Sequence, residues 1–109
     1  MNTGERRALW HYRLRGYRIL GTNVQAGRNE LDLIVRRGNR LTFVEVKQRA
    51  SAGFGGAVGA VNAEKRRRVR RAARVWLSRN PQADYVRVGF EVIAVEKGRL
   101  VRIPTALDG

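Results

Sequence analysis

The 109-residue sequence has no cysteine and a single histidine, His11. Disulfides and cysteine-ligated zinc are therefore excluded, and one imidazole leaves little for histidine-rich metal ligation. Any metal site has to be built from oxygen. The opening residues, MNTGERRALW, lack the apolar core of a signal peptide, and no uncharged apolar run approaches the length of a membrane span. A soluble, cytoplasmic protein with no membrane partner is the expectation. Acids are scarce, 9 against 23 Lys+Arg, which gives a formal net charge of +14. Lysine is scarce too, at Lys47, Lys65 and Lys97 only, so nearly all of the positive charge is arginine. Guanidinium groups suit bidentate phosphate contacts and base stacking, and an anionic partner would relieve the self-repulsion. Nucleic acid heads the list of partners. A chain of this length has room for one domain, residues 1–109, burying roughly two thirds of its unfolded surface.

Periodicity predicts the order α-β-β-β-α-β-β. Ala8, Leu9 and Tyr12 make one stripe of a helix over 5–15, which Asn2 or Thr3 caps and Gly16 stops. Residues 17–23 are rich in strand formers and start the sheet, and 25–29 read as a turn. Period-2 alternation over 30–36 and 41–47, around Arg37-Gly38-Asn39-Arg40, predicts an antiparallel hairpin. Residues 50–60 read as a loop, with four glycines around Phe54. A second helix runs from a cap at Asn62 to about Arg79, where Asn80-Pro81 ends it. Strands over 86–95 and 99–103, joined at Lys97-Gly98, complete the set. The crossover from the third strand through the long helix to the fourth implies an α/β fold, a mixed sheet with helical cover.

The hairpin gathers unusual charges. Glu45 and Lys47 are two apart on one strand and share a face, as do Glu30 and Asp32 on the other. A loop centred on Gly38-Asn39 sets Asp32 opposite Glu45 and Glu30 opposite Lys47. Opposed carboxylates destabilise a sheet unless a cation or proton lies between them. A hard cation such as Mg²⁺ or Mn²⁺ takes carboxylate, carbonyl and phosphate oxygens, and a neighbouring lysine can orient water or stabilise charge developing on phosphorus. The competing reading is a solvated polar face, although Leu41, Phe43 and Ile34 make the rest of that face apolar. Glu5 and Lys65 each fall inside the apolar stripe of their own helix. Glu5 is either a site residue or the third position of a capping box begun by Asn2, and Lys65 either joins the site or snorkels from the first turn. Arg67, Arg70, Arg71 and Arg74 lie opposite Val69, Ala72, Ala73 and Trp76, which makes them candidates for phosphate contact. His11 reads as structural or surface, and Trp10 and Phe54 as packing residues that could also stack on bases.

Gly4-Glu5, Gly16-Tyr17, Asn23, Asn29-Glu-Leu-Asp-Leu-Ile34, Phe43-Val-Glu-Val-Lys47-Gln-Arg49, Phe54-Gly55, Lys65 and Ala72-Ala73 together resemble the YraN-like family of bacterial proteins over nearly the full length. The resemblance implies a restriction-endonuclease-like fold, similar to archaeal Holliday-junction resolvases, with a degenerate PD-(D/E)xK nuclease motif. It matches Asp32 to the motif aspartate, Glu45 and Lys47 to its (D/E)xK part, and Glu5 to the resolvases' N-terminal acid. Glu30 and Lys65 match further motif positions. Leu31 replaces the motif proline, Asn29 stands where glycine is usual, and Gln48 where a small hydroxyl residue is common. The expectation is an Mg²⁺- or Mn²⁺-dependent endonuclease on branched or structured DNA. Asp32, Glu45 and the Val46 carbonyl would hold the metal, Lys47 would orient water, and Glu5 would complete the site. Resolvase similarity suggests a homodimer. The alternatives are a catalytically inactive nucleic-acid-binding module for recombination or repair, and a basic RNA-binding protein.

Overall fold

The computed structural model describes residues 1–49, 63–81 and 87–104. Helix α1 (Thr3–Leu14) is followed by β1 (Arg18–Ala26), β2 (Asn29–Arg37) and β3 (Arg40–Arg49), then α2 (Ala63–Arg79), β4 (Arg87–Glu96) and β5 (Arg99–Pro104). The order is the one periodicity predicts. The expected 50–60 loop with Phe54, the Asn62 cap and the first residue of the fourth strand lie outside the described residues. Among the described residues no helix is long and apolar enough to cross a membrane.

Local chemistry explains where the elements begin. Helix α1 starts before Glu5 because Asn2 caps it: the Asn2 side chain accepts from the Glu5 N–H at 2.8 Å, and the Asn2 N–H donates to Glu5 Oε1 at 3.0 Å. The first hairpin is tighter than expected, since Gln25 and Ala26 pair with Glu30 and Asn29 and leave Gly27-Arg28 as the turn. At the last hairpin both turn residues, Lys97 and Gly98, have positive φ (48° and 78°), which suits the twist of the flanking strands.

The sheet has the order β1-β2-β3-β4-β5. Strands β3 and β4 are parallel and the other neighbours antiparallel. A parallel neighbour cannot be reached by a tight turn, so the chain crosses over through α2. Each helix covers one face. On the α2 side Ile34, Leu41, Phe43, Val92 and Ala94 pack against Val69, Ala72, Ala73 and Trp76. The Phe43 ring meets Trp76 edge-on at 5.8 Å and stacks on Phe90 at 5.7 Å. On the α1 side Leu33, Val35, Val44, Ile93 and Val95 pack against Ala8, Tyr12 and Tyr17. With both faces covered, the central strands lose polar alternation, as in Val92-Ile93-Ala94-Val95, all buried.

Glu91 is the buried charge of this core, and the sequence gives no hint of its role. Its carboxylate accepts from the Tyr12 hydroxyl and takes a two-pronged contact from Arg102, Nε at 3.0 Å and Nη2 at 2.7 Å. Three elements, α1, β4 and β5, are tied together there. Burial pushes the Glu91 carboxyl up, but the Arg102 and Tyr12 hydrogen bonds and the guanidinium charge outweigh it and hold the group below its ordinary value. Replacing Arg102 by Met strands the buried carboxylate and is expected to cost about 3 kcal/mol at pH 7. Because the folded-state pKa lies below the ordinary 4.5, the stabilisation is present above that pH and is lost as pH falls through the folded value. Urea unfolding of wild type and Arg102→Met at pH 7 and pH 3 checks this: the gap should shrink in acid, and an equal gap at both would contradict it.

Candidate active site

The β2–β3 hairpin has the expected register, from Arg37 opposite Arg40 to Leu33 opposite Val44. The pairing ends there. One position further on, the Asp32 side chain replaces a main-chain rung: its Oδ2 accepts the Val46 N–H at 2.8 Å. On its other side β1 is also irregular, because Asn23 has φ 48° and the pairing skips from Thr22–Leu33 to Val24–Leu31. Strict alternation fails across this point, since Leu31 packs in the same cluster as Ile34, three positions away. The expected pairing of Glu30 with Lys47 is therefore corrected: Glu30 is paired with Gln25 of β1, and the β2–β3 ladder stops short of it. Asp32 sits where β2 parts from β3.

Helix α1 delivers Glu5 to this opening. Gly4 is buried against Gln48 of β3, whose Oε1 accepts the Gly4 N–H at 2.8 Å. A Cβ on residue 4 would lie 2.7 Å from that oxygen, so any larger residue would displace the Gln48 amide and break this hydrogen bond. Both readings of Glu5 hold at once. Its Oε1 closes the capping box, while its Oε2 accepts from Asn23 Nδ2 at 3.0 Å. The same amide reaches Glu30 Oε1 at 3.4 Å. One carboxylate oxygen from each of Glu5, Glu30 and Asp32 lies within 4.8 Å of the others.

The acids of this opening crowd one another electrostatically. Burial first, then the neighbouring Glu45 charge, push the Asp32 carboxyl up to about 7, against the pull of the Val46 N–H; Glu5 adds to the rise. Asp32 thus holds a proton near neutral pH when no further positive charge is supplied. Glu45 has one cation already: Lys65 Nζ of α2 lies 2.5 Å from its Oε1. The lysine in the apolar stripe of α2 is thus an ion-pair partner rather than a snorkelling side chain. Together Asn29, Glu30, Glu45, Lys65 and Arg68 line a recess of about 140 Å³ above Val69. Lys47, half-buried, follows Glu45 two positions along β3.

Comparison with known proteins places this arrangement in a family. The family model described as "Uncharacterised protein family UPF0102" matches residues 4–95. The chain belongs to the UPF0102 family. It is 39% identical over 98 residues to a UPF0102 protein of Alkalilimnicola ehrlichii, covering 90% of this chain and 78% of that one. Relatives in Methylorubrum extorquens (44% over 96 residues, 87% of this chain and 73% of that one) and Cupriavidus necator (41% over 105 residues, 95% and 79%) are similar to it. The match begins at Gly4 and so takes in Glu5 and every acid of the opening.

Sequence reasoning gives no site role to three residues of the UPF0102 chain, although Asn23 and Gln48 stand among those that carry the resemblance. Asn23 bridges Glu5 and Glu30, Gln48 docks the start of α1, and Arg68 lines the recess beside Lys65. An asparagine in mid-strand is the one signal that could have revealed the first, because asparagine tolerates positive φ. The arginine face of α2 holds in part. Arg67, Arg71 and Arg74 are exposed, but Arg70 folds inward, its guanidinium 5.8 Å above the Phe90 ring. Trp10 is half-exposed, with Arg13 5.5 Å from its ring centre.

The raised proton affinity of Asp32 fixes the sign of a pH effect. Its folded value of about 7 lies above the ordinary 3.8, so its contribution to stability is full below pH 3.8 and is lost as pH rises through 7. In EDTA the protein should melt lower at pH 8 than at pH 6, and Asp32→Asn should reduce that difference. At pH 8 the variant should be equal to wild type or up to about 1 kcal/mol more stable. Thermal melts at the two pH values check both statements. A variant that is less stable at both would show that Asp32 is held as a structural anion.

Proposed function

We propose that this UPF0102 protein is a divalent-metal-dependent phosphodiesterase that cuts branched or otherwise structured DNA. The convergence of Glu5, Glu30 and Asp32 carries the reading: three carboxylate oxygens within 4.8 Å, beside a fourth acid at Glu45, form an arrangement that repulsion disfavours in the absence of a cation. The donor set fits Mg²⁺ or Mn²⁺, which take hard oxygen ligands and coordinate phosphate at the same time. Asp32 and Glu5, with Glu30 or Glu45, would hold such an ion, and the Val46 carbonyl adjoins them on β3. A bound ion would supply Lewis-acid polarisation of the scissile phosphate and acidify a water.

The protein's own groups account for the remaining steps. Lys47 beside the acids is placed to orient the attacking water, and whichever of Glu30 and Glu45 is not engaged by the ion is a carboxylate able to accept its proton. Lys47 is two positions from Glu45 and brings the positive charge that a phosphorane-like transition state develops a need for. Lys65 fixes one oxygen of Glu45 and so limits how that carboxylate turns. Arg68 in the recess and the exposed Arg67, Arg71 and Arg74 on α2 continue a positive surface away from the acids, suited to the strand flanking the cut. The likeness to the PD-(D/E)xK resolvases points the same way and supplies the expectation of a branched substrate.

Purified protein incubated with four-way junction, flap, duplex and single-stranded DNA, each with Mn²⁺, Mg²⁺ or EDTA, tests the proposal. At least one substrate should be cut with metal and none in EDTA, and Asp32→Asn or Lys47→Ala should lower the rate at least about 100-fold while binding persists. Binding without cleavage of any substrate would replace this reading with that of a binding module. Affinity should fall steeply with salt, with a log-log slope of about −0.9 per duplex phosphate contact, and Arg67, Arg71 and Arg74 changed together to Ala should flatten it. An unchanged slope would place the nucleic-acid footprint off α2.

A further inference from the structure

The end of the sheet away from the acids carries the opposite peculiarity. Arg37 of β2, Arg40 of β3 and Arg87 of β4 are direct neighbours in register across three adjacent strands. Neighbours in register project to the same face, and alternation from Val35, Val44 and Ile93 makes that the α1 face. Like charges placed side by side on a sheet destabilise it, so folding alone does not account for the row. Arg40 and Arg87 are exposed, and neither has a carboxylate partner among the described residues.

A recess of about 240 Å³ lies beside them, lined by Arg40, Thr42, Arg87, Gly89, Glu91 and Arg102. Gly89 leaves its floor open, since a Cβ there would meet nothing within 4 Å. Thr42 is 1% exposed, and its hydroxyl has no hydrogen-bond partner. A buried hydroxyl without a partner costs free energy that an occupant of the recess would restore. The one acid lining it, Glu91, is hydrogen-bonded by Arg102 and Tyr12; the Arg40 charge also acts on it, but no ion pair joins the two.

We infer that this recess binds a phosphate group, with Arg40 and Arg87 gripping its oxygens and the Thr42 hydroxyl donating to one of them. The ligand is a phosphate in the chemical sense, either the phosphodiester of a nucleic-acid strand or a free phosphate ester. Arg40 and Glu45 are five positions apart on β3, about 17 Å at strand rise, and alternation puts the two on opposite faces. The site is therefore separate from the carboxylate opening, and it stands whether or not those acids hold a metal.

All measurements are made in EDTA, so that they do not depend on any metal at the acids. Melting temperatures of wild type, Arg40→Ala/Arg87→Ala, Thr42→Val and the control Arg6→Ala/Arg18→Ala, two exposed arginines outside both sites, are compared in chloride and in inorganic phosphate at matched ionic strength. Affinity for a fluorescent single-stranded oligothymidylate is measured on the same proteins. In chloride the Arg40/Arg87 variant should melt at or above wild type, which establishes that it folds. Phosphate should raise the melting point of wild type and of the Arg6/Arg18 control saturably, and most of that rise should vanish in the Arg40/Arg87 variant and weaken in Thr42→Val. If oligonucleotide affinity also falls, by about tenfold beyond the control, the phosphate belongs to a nucleic-acid strand. A lost phosphate response with unchanged oligonucleotide affinity assigns the site to a free phosphate ester. The inference is overturned if the Arg40/Arg87 variant matches the Arg6/Arg18 control in both measurements.

Discussion

The hydrogen bond from the Val46 N–H to the Asp32 carboxylate is the contact on which the rest of the site depends. A strand pair that continued past Leu33 and Val44 would bury its main-chain groups in a ladder and turn its side chains alternately up and down. By taking that rung with a side chain, Asp32 lets β2 diverge from β3. The gap it leaves admits Glu5 from a helix on one side of the sheet and lets Lys65 reach Glu45 from a helix on the other. Asp32 is partly buried beside two other acids, and that raises its proton affinity in spite of the Val46 N–H.

Supporting contacts fix α1 with the accuracy such a cluster needs. The capping box orients Glu5 from within its own helix, and the Gly4–Gln48 hydrogen bond sets the distance of that helix from β3. Asn23, held at positive φ, then spans Glu5 and Glu30 with one amide. At the far end of α1, Tyr12 reaches the Glu91–Arg102 pair, so the helix is anchored at both ends by polar contacts and between them by Ala8 and Tyr12 in the core. The sheet thus carries carboxylates near one end of β3 and arginines near the other, and each group is more self-repelling than folding alone would select.

Much of this was legible in the residues. Period-2 alternation around Gly38-Asn39 sufficed for the hairpin and its register, because turn length and side-chain parity leave few alternatives. The parallel crossover followed from the length of the helical segment between two strand-like ones. Glu5 and Lys65 stood out as charges inside apolar stripes, a local inconsistency that made both candidates for the site while a capping box and a snorkelling lysine explained them equally well. Glu91, by contrast, is a lone acid in mid-strand with no local partner, since Tyr12 and Arg102 are 79 and 11 positions away.

The sequence by itself determined the elements, their order, the helix cap, the hairpin register and the excess of positive charge, because each depends on residues close together in the chain or on simple counting. Only the tertiary structure decided that Glu30 joins Glu5 instead of facing Lys47, that Gln48 seats Gly4, that Arg70 turns in over Phe90, and that Arg87 extends the Arg37–Arg40 pair into a row. Those outcomes depend on where a ladder stops and how closely a helix docks. Both are set by contacts between segments distant in the chain, which no local pattern encodes.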